Sequence, residues 1–378
     1  MSEQRLRVGL VGGSARRGWS KVSHVPALLA LPEYELAAVC TSSPESAAEA
    51  AAAFGAEGAY SDYRRLVEDP SLDLVSVSVG VPSHRDIVVA ALEAGKHVYC
   101  EWPLGATTAE AEEMATLAAG TELRTMVGLQ ARGDPTLLHL KELIAEGYVG
   151  EVLSCTVTMF LGGLLQRGDG KAWMADAAAG ANAFTILGGH ALDVVGFCVD
   201  ELDELTARVA TQVSSWDTAD GGSVPVSAPD NLLLHGLLRQ GALVSLHVAM
   251  VPWHGSGWRM EVYGREGTLV ATTPRLVEYG GIRLAGARGD ERQLQELESP
   301  PRLTWIPQNV ERDERFNVAQ MYRQLGRAIR LGDDVDIDAD FALAAERHRL
   351  LDLLRDSTLA GAAGTVPRPS GPATRRLT

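Results

Sequence analysis

Over its first 130 residues the chain alternates between short apolar runs and helix-forming stretches. No other feature of the sequence limits the fold as tightly. The runs "RLRVGLVGG", "YELAAVCTSS", "SLDLVSVSVG", "KHVYCEWPLG" and "LRTMVGLQAR" read as strands. Between them lie "SHVPALLAL", "SPESAAEAAAAFG", "SHRDIVVAALEAG" and "TTAEAEEMATLAAG", which read as helices. The second helix opens at Ser43-Pro44, where proline costs no backbone donor. The last carries a capping threonine and an acidic first turn, which suits a helix N-terminus. Parallel neighbours need a crossover, usually a helix, so this order predicts an α/β, doubly wound parallel sheet.

After about Gly150 the pattern changes. "EVLSCTVTMF", "ELTARVATQVSSW", "PDNLLLHGLLRQGALVSLHVAMV" and "WRMEVYGREGTLVAT" are strand-rich, with a hairpin turning near Gln240-Gly241. Val244, Leu246, Val248 and Met250 alternate with Ser245, His247 and Ala249, the period of a sheet with two unlike faces. Strands without interleaved helices predict a second, α+β domain with a large open mixed or antiparallel sheet. "DERFNVAQMYRQLGRAIRLG" and "DADFALAAERHRLLDLLRDSTLAG" add two closing helices. A chain of 378 residues exceeds what one core usually serves. The expected division is a Rossmann domain over 1–130, an α+β domain over 131–360, and a tail over 361–378 that has no core-forming pattern and is read as mobile.

The net charge of -15 argues against a nucleic-acid partner, which needs clustered Lys and Arg. No apolar run approaches the roughly 20 residues that span a bilayer, and no signal peptide is visible. The four cysteines are scattered, without metal or redox spacing. A cytoplasmic protein with reduced thiols and no metal is expected.

"GLVGGSARRGWSKVSH" stands where a dinucleotide loop belongs, between the first strand and first helix. Gly12 suits the tight turn and Gly13 the close backbone approach. Ser14 takes the second glycine position of the usual spacing, and the loop runs on to Gly18 and Trp19. At the end of the second strand an NAD site places a carboxylate on the adenine ribose. Here Thr41, Ser42 and Ser43 follow instead, and Arg16 and Arg17 lie in the adjoining loop. That set suits a 2′-phosphate, so NADP is favoured over NAD.

From "SHRDIVVAALEAGKHVYCEWPLG" onward the chain resembles the glucose-fructose oxidoreductase / inositol dehydrogenase / MocA family. "LQARGDPTLLHLKELIAEGYVGEV", "LGGHALDVV" and "MEVYGREGTLVAT" extend the resemblance over nearly the whole length. It implies hydride transfer between NAD(P) and a sugar, cyclitol or related polyol. It also implies subunits packed through the second-domain sheet, as a homodimer or homotetramer. Val81, Pro82, His84, Glu101, Trp102, Pro103 and Gln130 are implied around the cofactor. His190 and Asp193 are implied on the helix facing the nicotinamide, as acid/base and its orienting partner. Lys171, Trp173 and Asn182 are implied nearer the substrate.

Two departures bear on the chemistry. The family's Glu-Lys-Pro reads Glu101-Trp102-Pro103, and an indole N–H cannot accept a proton. The family's Asp-x-Gly-x-His reads Ile186-Leu187-Gly188-Gly189-His190, so that Asp is also lost. A branch resembling the fungal galactose-pathway repressor shares the Glu-Trp and the extended loop. Two readings stay open: an oxidoreductase relying on His190, or a regulator that binds cofactor or sugar, with Trp102 as a stacking platform.

Overall fold

A computed structural model describes residues 5–165, 171–218, 221–332, 337–360 and 364–366. The first third runs β1 (Leu6–Val11), α1 (Trp19–Val22), α2 (His24–Ala30), β2 (Tyr34–Cys40), α3 (Pro44–Phe54), β3 (Gly58–Tyr60), α4 (Tyr63–Val67), β4 (Leu74–Val77), α5 (His84–Glu93), β5 (His97–Glu101), α6 (Thr108–Ala119) and β6 (Thr125–Gly128). Among the described residues these strands form one parallel sheet in the order β3-β2-β1-β4-β5-β6. This is the doubly wound Rossmann order, and its strand ends meet the ligand crevice where the order reverses. The helix limits follow the capping residues. Ser43 accepts from Ser46 N ahead of Pro44, and Thr107 accepts from Glu110 N. Gly55 ends α3 in the left-handed conformation.

The remainder runs α7 (Pro135–Ala145), β7 (Val152–Leu161), α8 (Gly189–Cys198), β8 (Leu202–Ala210), β9 (Ser215–Asp217), β10 (Ser223–Pro225), β11 (Asn231–Leu238), β12 (Leu243–Met250), β13 (Gly257–Gly264), β14 (Gly267–Thr273), β15 (Arg283–Arg288), β16 (Gln295–Glu296), α9 (Glu314–Leu331), α10 (Phe341–Ala360) and β17 (Gly364–Thr365). The large sheet has the order β16-β15-β14-β13-β7-β12-β11-β8-β17, while β9 and β10 form a separate ribbon. The sheet is mixed: β7 and β12 pair in parallel, and the other pairs are antiparallel. Its inner face is apolar, with Val157, Met159, Leu232, Leu234, Leu246, Val248, Met260 and Val262 all buried.

The two closing helices join the domains. Tyr322 of α9 is buried against Tyr34 of the Rossmann sheet, and α10 packs on both α6 and β8. Gly364–Thr365, inside the segment read as a mobile tail, pairs with β8. Val366 N–H donates to the Asp203 carbonyl, and the rest of that tail lies outside the described residues.

Candidate active site

A cleft of about 400 Å³ lies between the Rossmann strand ends and the start of α8. On its Rossmann side are Trp19, the stretch Ser78 to Val81, His84, Glu101, Trp102 and Gln130. Opposite stand Trp173, Ile186, His190, Glu278 and Tyr279.

The dinucleotide loop is shaped by close backbone approach. Gly12 has φ 97°, and a Cβ there would lie 2.1 Å from the Ser78 carbonyl oxygen, so only glycine fits. Gly18 has φ 111° and open space on its Cβ side. Its loop leads to Trp19, which stacks on Tyr279 from the far wall at 5.1 Å between ring centroids. A nicotinamide dinucleotide fits this arrangement of glycine turn, strand ends and cleft.

Glu101, at the end of β5, is held by two side chains. Gln130 Nε2 donates to both carboxylate oxygens at 2.9 and 2.8 Å, and His24 Nε2 meets Oε1 at 2.8 Å. The other His24 nitrogen meets the Tyr322 hydroxyl, which in turn meets Ser76 Oγ. His84 has a carbonyl on each ring nitrogen, Pro103 O at 3.0 Å and Val79 O at 3.1 Å, and burial lowers its pKa. His84 is therefore a brace between the loop after β4 and the end of β5.

Trp102 is buried, and its Nε1 donates to the Thr185 carbonyl at 2.9 Å. Its indole packs on His348 of α10 and on Gly189. It thus joins the two domains as well as lining the cleft.

His190 is only 4% exposed, and its Nε2 lies 3.9 Å from Glu278 Oε1. Glu278 is equally buried, on the single helical turn Val277–Tyr279. Neither His190 Nδ1 nor Glu278 Oε2 has a hydrogen-bond partner. Burial pushes the Glu278 carboxyl up, His190 draws it partly back down, and Glu101 pushes it up again. The sequence reading missed Glu278. Its one signal was an acidic residue after the apolar "LV", just before Gly280-Gly281, both of which have positive φ.

Several expected roles are not supported by the geometry. Asp193 does not orient His190: its carboxylate takes Arg132 Nε and Nη2 at 2.8 and 2.7 Å and Arg347 Nε at 2.9 Å. Burial would raise its pKa, but the two arginines hold it down at about 2. Asn182 caps the helical turn Ala183–Gly188, accepting from Thr185 N, and lines no part of the cleft. Lys171 is exposed and also outside the lining, whereas Trp173 lies over Gly80 within it. At the far end, Ser43 is spent on its helix cap and Thr41 bonds Ser46 Oγ and Ser43 O. Arg16 pairs with Glu49 at 2.8 Å, while Ser42 and Arg17 are exposed. Gly13 is buried against Leu10, and Ser14 Oγ accepts from Arg16 N. Val81 and Pro82 form the turn into α5, with Val81 reaching the cleft.

A Rossmann domain joined to a large mixed sheet, with a cleft between them carrying Glu101 and His190, defines a nicotinamide-type oxidoreductase architecture. Residues 6–129 match the family model described as "Oxidoreductase family, NAD-binding Rossmann fold", and residues 137–270 match "GFO/IDH/MocA C-terminal domain". The chain belongs to the Gfo/Idh/MocA family. It is 36% identical over 244 residues to dehydrogenase aclE of Aspergillus oryzae, covering 62% of this chain and 67% of that one. It is 28% identical over 331 residues to levoglucosan dehydrogenase of Pseudarthrobacter phenanthrenivorans, covering 79% and 81%. A solved levoglucosan dehydrogenase, in complex with NADH and L-sorbose, superposes with a TM-score of 0.82 at 24% identity over 97% of this chain and all of that one. The galactose/lactose regulatory protein GAL80 of Saccharomyces cerevisiae is 26% identical over 254 residues, covering 62% and 58%.

Proposed function

We propose that this protein is a nicotinamide-dependent oxidoreductase acting on a sugar, cyclitol or related polyol. The observation that carries the reading is His190, buried across the cleft from Glu101 and beside an unpaired carboxylate. The nicotinamide ring accepts or returns a hydride when bound; the chain must hold the substrate and manage its proton. Trp173, 40% exposed at the cleft wall, offers a flat face for a sugar ring. His190 lines the cleft, where its imidazole can take up a hydroxyl proton. Levoglucosan dehydrogenase is a relative whose name fits such a substrate.

NADP is the favoured cofactor, because no carboxylate ends β2 and Arg16 and Arg17 lie nearby. Arg16's exposed pair with Glu49 is readily exchanged for a phosphate. Four buried free thiols suit a reducing, cytoplasmic setting. The open face of the large sheet, with exposed Leu233, Leu243 and Tyr263, suits a homodimer or homotetramer.

Neutral sugars and cyclitols, levoglucosan and L-sorbose among them, are to be screened with NADP and NAD by the absorbance of reduced cofactor. Turnover that His190→Ala removes is the expected result. Activity that survives that change sinks the acid/base role.

One observation favours a second reading. The Trp102 N–H is committed to Thr185, so the family's usual proton acceptor is replaced by a packing residue. A regulator that binds NADPH without turnover needs no acceptor. Tight NADPH binding with no turnover across the panel would select that reading.

A further inference from the structure

Ile186 removes the family's carboxylate beside His190, and Glu278 brings another to the same histidine from a distant part of the chain. Glu278 is nine-tenths buried, is aimed into the cleft, and keeps one oxygen without a partner. Burying a carboxylate is costly unless something repays it. Its own backbone N–H and His190 offset only part of that cost: burial still raises its pKa, and His190 Nε2 lies 3.9 Å away, too far for a hydrogen bond.

That gap has a use. An oxygen placed about 2.8 Å from both atoms would see them about 90° apart, an angle that lets one hydroxyl contact both. We propose that the hydroxyl to be oxidised docks between His190 Nε2 and Glu278 Oε1, and that the two side chains act together as its acid–base unit. The proposal rests on the oxidoreductase reading above. In the step, the hydroxyl O–H bond breaks and its proton goes to the pair. The carbinol C–H bond breaks, and its hydride carries two electrons to the oxidised nicotinamide. The substrate is left as a carbonyl compound and the cofactor is reduced. The charged and titratable groups that line the cleft with His190 and Glu278 are Glu101, His84 and Tyr279, and His24 stands behind Glu101.

Glu278→Gln keeps the shape but cannot take a proton. Its kcat should fall about 100-fold, with KM nearly unchanged. Glu278→Asp should recover part of that loss. Binding of NADPH, read by fluorescence, should be the same in all three proteins, which shows that the variants are folded. In the protein without cofactor, the Glu278 carboxyl should titrate higher in His190→Ala than in wild type, because the neighbouring histidine draws its pKa down. A kcat within about threefold of wild type overturns the proposal. So does an unmoved Glu278 midpoint. If no sugar or cyclitol is turned over by wild type, the oxidoreductase reading fails; the titration still judges the pair.

Discussion

Trp102 and Gly189 are a matched pair: a Cβ on Gly189 would lie 2.5 Å from the Trp102 indole. The glycine sits at φ -60° and ψ -48°, ordinary helical backbone that alanine adopts easily. Alone, Gly189→Ala should favour the helix by about 1 kcal/mol. Against Trp102 it must instead displace a buried indole, whose N–H is tied to Thr185. Gly189→Ala should therefore destabilise by roughly 1–3 kcal/mol, the range for overpacking. In a Trp102→Ala background the same change should be neutral or stabilising. Denaturant unfolding of the four proteins gives the coupling. Additive effects would show that the contact is not what keeps position 189 glycine.

Asp193 is a structural anchor, and its pH signature follows from its two arginines. Its folded pKa of about 2 lies below the roughly 3.9 of an unfolded aspartate. A depressed carboxylate contributes stability above its unfolded pKa and loses it as pH falls through the folded value. The contribution, roughly 2 kcal/mol, should be intact at neutral pH and disappear between about pH 4 and 2. Asp193→Asn leaves Arg132 and Arg347 buried without their anion, although Arg347 keeps Glu201. It should cost about 3–5 kcal/mol at neutral pH and flatten that part of the acid profile. Because Asp193 does not touch His190, the pH dependence of any turnover should not move.

These residues show what the sequence could and could not reveal. The doubly wound parallel sheet was legible because apolar period, caps and Gly12 all act within a few residues. His190 was legible through the motif around it. Asp193 was misplaced because its partners, Arg132 and Arg347, lie 61 and 154 residues away. A helical spacing from His190 says nothing about distant charges. Glu278 was missed for the same reason: it reaches the cleft on an isolated turn with no periodicity of its own. Trp102 was recognised as a lost proton acceptor, but its role in packing appears only once Thr185, Gly189 and His348 are brought around it.

Cofactor choice is testable at the far end of the cleft. Arg16→Ala and Arg17→Ala should weaken NADPH more than NADH, because a guanidinium pairs with the 2′-phosphate that only NADPH carries. Glu49→Gln frees Arg16 from its carboxylate and should strengthen NADPH while leaving NADH nearly unchanged. Dissociation constants from cofactor fluorescence decide the matter. Equal losses for both cofactors in the arginine variants would sink the 2′-phosphate site.

The open face of the large sheet carries the remaining prediction. Register places Leu237 opposite Leu243, Leu243 opposite Ser154, and Ser154 opposite Tyr263. Paired residues point to the same side of a sheet, so these four make one row across β11, β12, β7 and β13. Leu243 is 63% exposed, and Leu233 on the same face is 48% exposed. Apolar side chains in such a row suit a second copy of the chain better than water. A carboxylate placed in such an interface would be buried without an assigned partner. Leu243→Glu should therefore shift the protein from dimer or tetramer to monomer. Its own fold should persist, because position 243 faces away from the inner core. Light scattering across a concentration series, with wild type alongside, provides the measurement. A wild-type monomer would overturn the assembly outright, and an oligomer unmoved by Leu243→Glu would place its interface elsewhere.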